Sequence, residues 1–317
     1  MLAKKKSRGM ALLDIMITLA ALELMAFFYY GIRAVWLGMI CIAVSMVSEF
    51  ILLRFRRAEF TAKDLYCVSD GLIIALMLPA SIDWKIPAAA CVFAAVAKHI
   101  FGGRENMIFS PSAVAYVFIV SSWSKELLSY PEPYTKLGIF ERAAELTDSA
   151  SLNFIETGKL AESNYELLMG SFAGPMGAVS ILIISVSAAV LIARKGISAS
   201  AFCGTVGGLV ILSAAFPYMG NPLESVRGML VTNMTLFAAV YIISDKRIAP
   251  KKWYYAAIYG IIVSAVTYGL FMVTGKENII ISVSILLTPA ALAFRNLSDK
   301  KSLSAENAKG ADDNEQI

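Results

Sequence analysis

Four carboxylates sit inside otherwise apolar stretches of this 317-residue chain: Asp14, Glu23, Glu49 and Asp70. An ionised group in a bilayer costs roughly 2.5–3.5 kcal/mol by insertion scales, so such residues mark ion paths or buried pairs. Asp14 and Glu49 fall near segment ends, where snorkelling or a partner lysine suffices. Glu23 lies deeper, and Asp70 precedes Gly71 in a short segment. These two are the candidates for a polar path, Asp70 the better. A second run that could do chemistry is Lys98-His99-Ile100-Phe101-Gly102-Gly103, continued by Ser110-Pro111. Paired glycines stop a helix, and Ser-Pro restarts one with Ser110 as cap and Pro111 in its first turn. Free N–H groups at such a break suit an anion or a cofactor phosphate. A tight turn explains the same residues equally well. Cys41, Cys67, Cys91 and Cys203 each stand alone, and His99 is the single histidine. No disulfide framework and no zinc or iron–sulfur site built by this chain is expected.

The elements that must position these residues are membrane helices. Apolar residues make up 58% of the chain and charged residues 16%. A soluble domain carries about 25% charged residues and lacks the interior to hide so much apolar surface. Ten apolar segments are expected, at about 10–30, 33–53, 65–80, 86–100, 109–123, 175–193, 197–216, 229–244, 253–273 and 279–294. The third and eighth are the shortest. The first follows Lys4, Lys5, Lys6 and Arg8 like a signal peptide. It carries Asp14 and Glu23 and lacks a small-x-small cleavage site, so it reads as a retained helix. A polar loop fills 124–174, and 297–317 reads as a disordered tail.

With the N-terminus inside and sides alternating, 20 of the 28 Lys and Arg residues fall inside, at 4–8, 54–63, 98–104, 194–195, 246–252 and 295–309. That excess is the positive-inside pattern. It predicts both termini in the cytoplasm and the 124–174 loop outside. The small net charge of +4 is scattered at segment ends, which gives no sign of nucleic-acid binding.

Residues 103–110 read GRENMIFS and residues 275–282 read GKENIIIS. Five positions of eight are identical, and the copies are five segments apart. An odd number of spans per half inverts the second half. The expected fold is therefore all-α and polytopic, about ten transmembrane helices in two inverted five-helix repeats, 1–123 and 175–296.

KHIFGGRENMIFSPSAVAY resembles the stretch K-x-x-x-GG-x-G-x-N-x-FNPA-x-x-x-Y of the RnfD/NqrB family, the membrane subunits of ion-translocating oxidoreductases. Three further stretches are similar to that family. They are Leu167-Leu168-Met169-Gly170 with Gly174, Gly177 and Ser180; Ser244-Asp245 through Pro250; and Gly275 through Leu287. The size favours the RnfD type. The resemblance implies a subunit of an Rnf complex, in the bacterial inner membrane, that relays electrons through flavin while ferredoxin–NAD redox chemistry drives sodium or protons. The other Rnf subunits and a flavin transferase are the partners implied. It implies FMN joined by a phosphodiester in a motif of the form D-x-x-[ST]-G-A-T. The corresponding residues here are Glu145 through Ser151. Asp148, Ser149 and Ala150 would form the surround and Ser151 would be the acceptor, with Thr147 and Thr157 as neighbouring hydroxyls. Gly102, Gly103, Ser110 and Asp245 join the expected cofactor-binding set, and a second, noncovalent flavin stays open. Two other classes fit the residues: a solute channel or transporter, which an inverted repeat serves equally well, and a structural Rnf subunit without flavin.

Overall fold

The computed structural model describes residues 2–103, 107–141, 145–231 and 234–297. Arg104, Glu105 and Asn106, the middle of the first octapeptide copy, lie outside them, as does the expected tail after Leu297. The described residues form helices with a single isolated bridge, Tyr130 to Thr147. The first half contains α1 (Leu2–Tyr30), α2 (Ile32–Phe55), α3 (Tyr66–Leu76), α4 (Lys85–Ile100) and α5 (Pro111–Ser122). The loop that follows carries three short helices, α6 (Ser124–Leu127), α7 (Ala150–Thr157) and α8 (Asn164–Met169). The second half contains α9 (Ile181–Ala193), α10 (Ala199–Ala215), α11 (Pro222–Val231), α12 (Thr235–Ile243), α13 (Trp253–Thr274), α14 (Ile279–Leu286) and α15 (Thr288–Leu297).

Each apolar segment contains a helix, but the helices differ in kind. Met10–Tyr30, α2 and α13 are each long and apolar enough to cross a membrane. Two more crossings arise if bent pairs count as single spans: α11 with α12, bent by 56°, and α14 with α15, bent by 48°. Short α3 is the clearest departure from a full span. Its 11 residues rise about 16 Å, half of a bilayer core of about 30 Å. The expected third segment, 65–80, is thus helical only to Leu76, and the eighth, 229–244, is two helices with a π-turn at Ala239–Ile243.

The expected sixth segment also needs correcting. Residues 175–180 are not helical, and α9 starts at Ile181 behind the Ser180 cap. The reason lies in α3. The end of a helix leaves carbonyls without partners, and here Met176 N–H donates to Leu78 O (3.0 Å) and Gly177 N–H to Leu76 O (2.8 Å). A chain pass from the second half thus finishes a helix of the first.

The two halves repeat their packing order. In the first, α2 packs on α3 and α4, and α4 on α5; in the second, α10 packs on α11 and α13, and α13 on α14. The halves meet where α5 touches α14 and α1 touches α9. The 124–174 loop is not loose. Phe154 of α7 is fully buried, with its ring parallel to Phe271 of α13 (6.4 Å between centroids) and tilted against Tyr218. Gly31, the one residue between α1 and α2, has φ of 74°, and Leu137 N–H donates to the neighbouring Tyr30 carbonyl (3.0 Å). A side chain at Gly31 would crowd Leu137 backbone atoms at 3.2 Å and strain a left-handed φ as well.

Candidate functional site

The sequence-selected residues separate into two polar centres, one at each end of the bent pair α14–α15. The first is built on Asp70. Gly71 lets α3 approach α2 so closely that a Cβ there would lie 2.7 Å from Cys41 O, and this seats Asp70 among helices at 4% exposure. Arg247, from the turn after α12, grips it through two parallel bonds: Nη1 to Oδ2 at 3.0 Å and Nη2 to Oδ1 at 2.6 Å. The same guanidinium donates from Nε to Asp245 Oδ2 (2.7 Å) and lies 4.9 Å over the Tyr66 ring. Paired forks of this kind are strong because the planar cation matches the carboxylate. Arg295 of α15 donates to Met107 O (2.8 Å) and to Arg247 O (3.2 Å), which ties the far end of the chain to the same knot.

Beside it, Glu49 of α2 accepts from Lys98 Nζ at 2.8 Å and lies 3.2 Å from His99 Nε2. All three are at least 95% buried. A cavity of about 20 Å³, lined by Glu49, Asp70, Lys98, Cys67 and Ser45 among others, lies between the two ion-paired groups. It has room for about one water. Asp14 pairs with Arg194 at 3.2 Å. The expectation that Asp14 and Glu49 lean on basic partners matches the geometry. Asp70, expected to line a polar path, borders this small cavity and also carries a tight fork to Arg247. Glu23 does not join it. Its carboxylate oxygens have no hydrogen-bond partner among the described residues, and its Oε1 fills the space over Gly38 of α2.

Gly102 and Gly103 close α4 with φ of 113° and 64°, and Gly103 N–H reaches back to Lys98 O at 2.9 Å. Arg56 bonds the His99 carbonyl beside them. Ser110 does occupy the cap position of α5 with Pro111 in the first turn, but its hydroxyl makes no cap bond. It pairs with Ser112 Oγ at 2.7 Å instead.

The second centre contains the expected flavin segment. Ser149 caps α7, accepting from Leu152 N–H (3.0 Å) and donating to Glu277 Oε1 (2.6 Å). Ala150 N–H is taken by Ala173 O, and Ser151 is buried in the first helical turn. Thr147 and Thr157 hydroxyls donate to the Tyr130 and Asn153 carbonyls. Asp148 is exposed next to this turn. Glu277 is pushed up to about 7 by burial, helped by Asp148 and opposed by the Ser149 bond. Its neighbour Asn278, at φ 56°, donates to the Tyr116 hydroxyl of α5 (2.6 Å).

Sequence reasoning missed Glu277, Asn278, Arg247 and Arg295. The first two stand in the second octapeptide copy, so the repeat carried the signal. Arg247 sits two residues after Asp245 in a stretch read only for its aspartate and proline. Arg295 gave no signal beyond its place at a segment end.

Comparison with known proteins adds an independent observation. A profile described as the NQR2, RnfD, RnfE family matches residues 2–294. The D subunit of the Na(+)-translocating ferredoxin:NAD(+) oxidoreductase complex of Acetobacterium woodii is 27% identical over 196 residues, 61% of this chain and 60% of that protein. The D subunit of the ion-translocating oxidoreductase complex of Ectopseudomonas mendocina is 24% identical over 225 residues, 64% of each chain. That of Methanosarcina acetivorans is 25% identical over 147 residues, 45% of this chain and 51% of the relative. The chain thus aligns with less than two thirds of the length of each of these relatives.

Proposed function

We infer the function from one premise: the chain belongs to the NQR2, RnfD, RnfE family. It is a multi-pass membrane protein, and we propose that it serves as a D-type subunit of an Rnf-like complex that couples ferredoxin–NAD electron transfer to Na+ or H+ movement. The family match over residues 2–294 carries this reading. The proposed setting is the bacterial inner membrane, with both termini cytoplasmic, the 124–174 loop outside, and halves 1–123 and 175–296 of opposite sense. The other Rnf subunits are its partners.

Covalent FMN on Ser151 is a separate proposition, and the residues as folded do not fit it. The acceptor is buried in α7. The turn's N–H groups at Ala150 and Leu152 are already bonded. Glu277 and Asp148 would also set carboxylates against a phosphodiester. A flavin transferase would need the first turn of α7 to open. That geometry favours the second reading, a structural subunit that holds the complex together without its own covalent flavin.

One preparation tests both. The tagged chain is purified from its own membranes with whatever accompanies it. Iron–sulfur and flavin subunits in the eluate, with ferredoxin-dependent NAD reduction, are expected. A chain that purifies alone and moves a solute in vesicles would sink the assignment and favour the transporter class. A flavin-fluorescent band lost in Ser151→Ala would overturn the structural reading. Flavin released on denaturation of the chain freed from its partners would mark a second, noncovalent site.

A further inference from the structure

The Glu23 carboxylate belongs to neither polar centre. It lies within the Met10–Tyr30 span, roughly 10 Å from the Tyr30 end at 1.5 Å per residue. Both of its oxygens are buried and have no hydrogen-bond partner among the described residues. The buried charged groups of α1 to α4 are engaged elsewhere: Arg33 with the carbonyls of Ala80 and Ile82, Glu49 with Lys98 beside His99, Asp70 with Arg247, and Asp14 with Arg194. Helix α9, which also packs on α1, adds no titratable side chain. An ionised carboxyl without a partner at this depth is costly, and a neutral carboxylic acid far less so.

Its place on α2 gives it neighbours. A Cβ at Gly38 would lie 2.6 Å from Glu23 Oε1, so the carboxyl fills the space of the side chain that Gly38 lacks. Gly38, Cys41, Ser45 and Glu49 are spaced three, four and four residues apart. Positions so spaced are neighbours on one helix face. Carboxyl, thiol, hydroxyl and carboxylate therefore follow one another along α2 for about 16 Å. The Cys91 thiol of α4 lies against Cys41 and Ser45 and widens the row. The cavity of about 20 Å³ at Ser45, Cys91 and Glu49 has room for about one water. Asp70 on its wall is bonded to Arg247, whose side chain is 19% exposed and marks the aqueous end. Water, hydroxyl and thiol can each donate and accept, the thiol weakly. Such a row passes a proton without any intermediate group changing its charge.

We propose that Glu23 is a proton-binding site, reached from the Glu49 end along this face of α2, and that the ion carried through the first half is H+. The proposal rests on the ion-translocating reading above. On uptake, cavity water gives a proton to Ser45, Ser45 to a thiol of Cys91 or Cys41, and the thiol to the Glu23 carboxylate. Each donor is refilled from behind, the carboxylate becomes a carboxylic acid, and no electrons move. A hard metal cation is held by several oxygen ligands. Here a single carboxylate faces a glycine and a thiol.

The full chain, with any accompanying subunits, is reconstituted in lipid vesicles and examined by infrared difference spectroscopy. Wild type minus Glu23→Gln is expected to show the carbonyl band of a protonated carboxylic acid, shifting in D2O and unchanged by added Na+ at fixed pH. Gly38→Ala, whose Cβ would crowd the carboxyl, is expected to displace that band without removing it. Ser45→Ala is expected to slow the D2O shift about three- to ten-fold, the worth of one hydrogen bond. The absence of such a band, a band that does not exchange, or a band removed by Na+ would each overturn the proposal. So would exchange as fast in Ser45→Ala as in wild type. Ferredoxin-dependent NAD reduction in the same vesicles tests the family reading separately, and its absence leaves the spectra to decide on Glu23. Where it runs, wild type is expected to build a proton gradient without Na+, and Glu23→Gln to lose it. An equal gradient in both, or coupling to Na+ alone, overturns the proposal.

Discussion

Arg247 is the residue on which the first polar centre depends. It neutralises Asp70 and Asp245 together, and its backbone carbonyl accepts from Arg295. Removing one partner of a buried pair leaves charge without compensation, a loss of about 3–5 kcal/mol. Arg247→Ala is therefore expected to lower the melting temperature sharply in detergent, and Arg247→Lys to recover only part, since an ammonium cannot form the fork. Asp70→Asn should cost less than Arg247→Ala, because Asp245 still pairs with the guanidinium. Glu277 gives a prediction in pH. Burial raises its carboxyl to about 7 in the folded chain from the ordinary 4.5. A raised carboxyl contributes stability that is complete below about 4.5 and is lost as pH climbs through about 7. Glu277→Gln removes that dependence. Melting of wild type and Glu277→Gln at pH 5 and pH 8 is expected to show a gap that moves in favour of the variant as pH rises. A constant gap would mean that Glu277 does not titrate in that window.

Among the elements, α7 and α3 show how irregular pieces are held. Phe154 pins α7 into the second half, and a Cβ at Gly228 would collide with its ring. Phe154→Ala should cost about 3–5 kcal/mol and open the 158–163 stretch to limited proteolysis, while the helices on either side stay protected. Gly177→Ala would set its Cβ 2.6 Å from Leu76 Cβ. Overpacking of that kind costs about 1–3 kcal/mol. These elements also mark how far the sequence could be read. Hydropathy located the helices of the two halves apart from most of α11, which falls in the 217–228 gap between two expected segments, because burying apolar side chains or facing them to lipid is a local property. It overran α3 and α9, since Leu78 and Met176 are as apolar outside a helix as within one. What ends those helices is a hydrogen bond between residues far apart in the chain. The Ser149–Glu277 and Asp70–Arg247 contacts were hidden for the same reason. Each joins groups 128 or 177 positions apart. Composition at Asp70 announced a buried charge, and nothing local named its partner.

For the whole molecule, the charge distribution makes the topology testable. Lys159→Cys is expected to react with a membrane-impermeant thiol reagent added to intact cells, and Lys251→Cys only after the membrane is opened. Labelling of both from outside would break the proposed arrangement of halves. The bond pair between residues 176–177 and the end of α3 has a further consequence, for biogenesis. When α3 leaves the ribosome, the segment that finishes it is roughly 100 residues behind. At about 5–20 residues per second that is a wait of about 5–20 s. Through that interval two peptide carbonyls at the end of α3 lack their final donors, and lipid offers none. The half-inserted chain must therefore be held by water or by the insertion machinery until the second half arrives. The first half is, in this sense, an intermediate that synthesis alone completes.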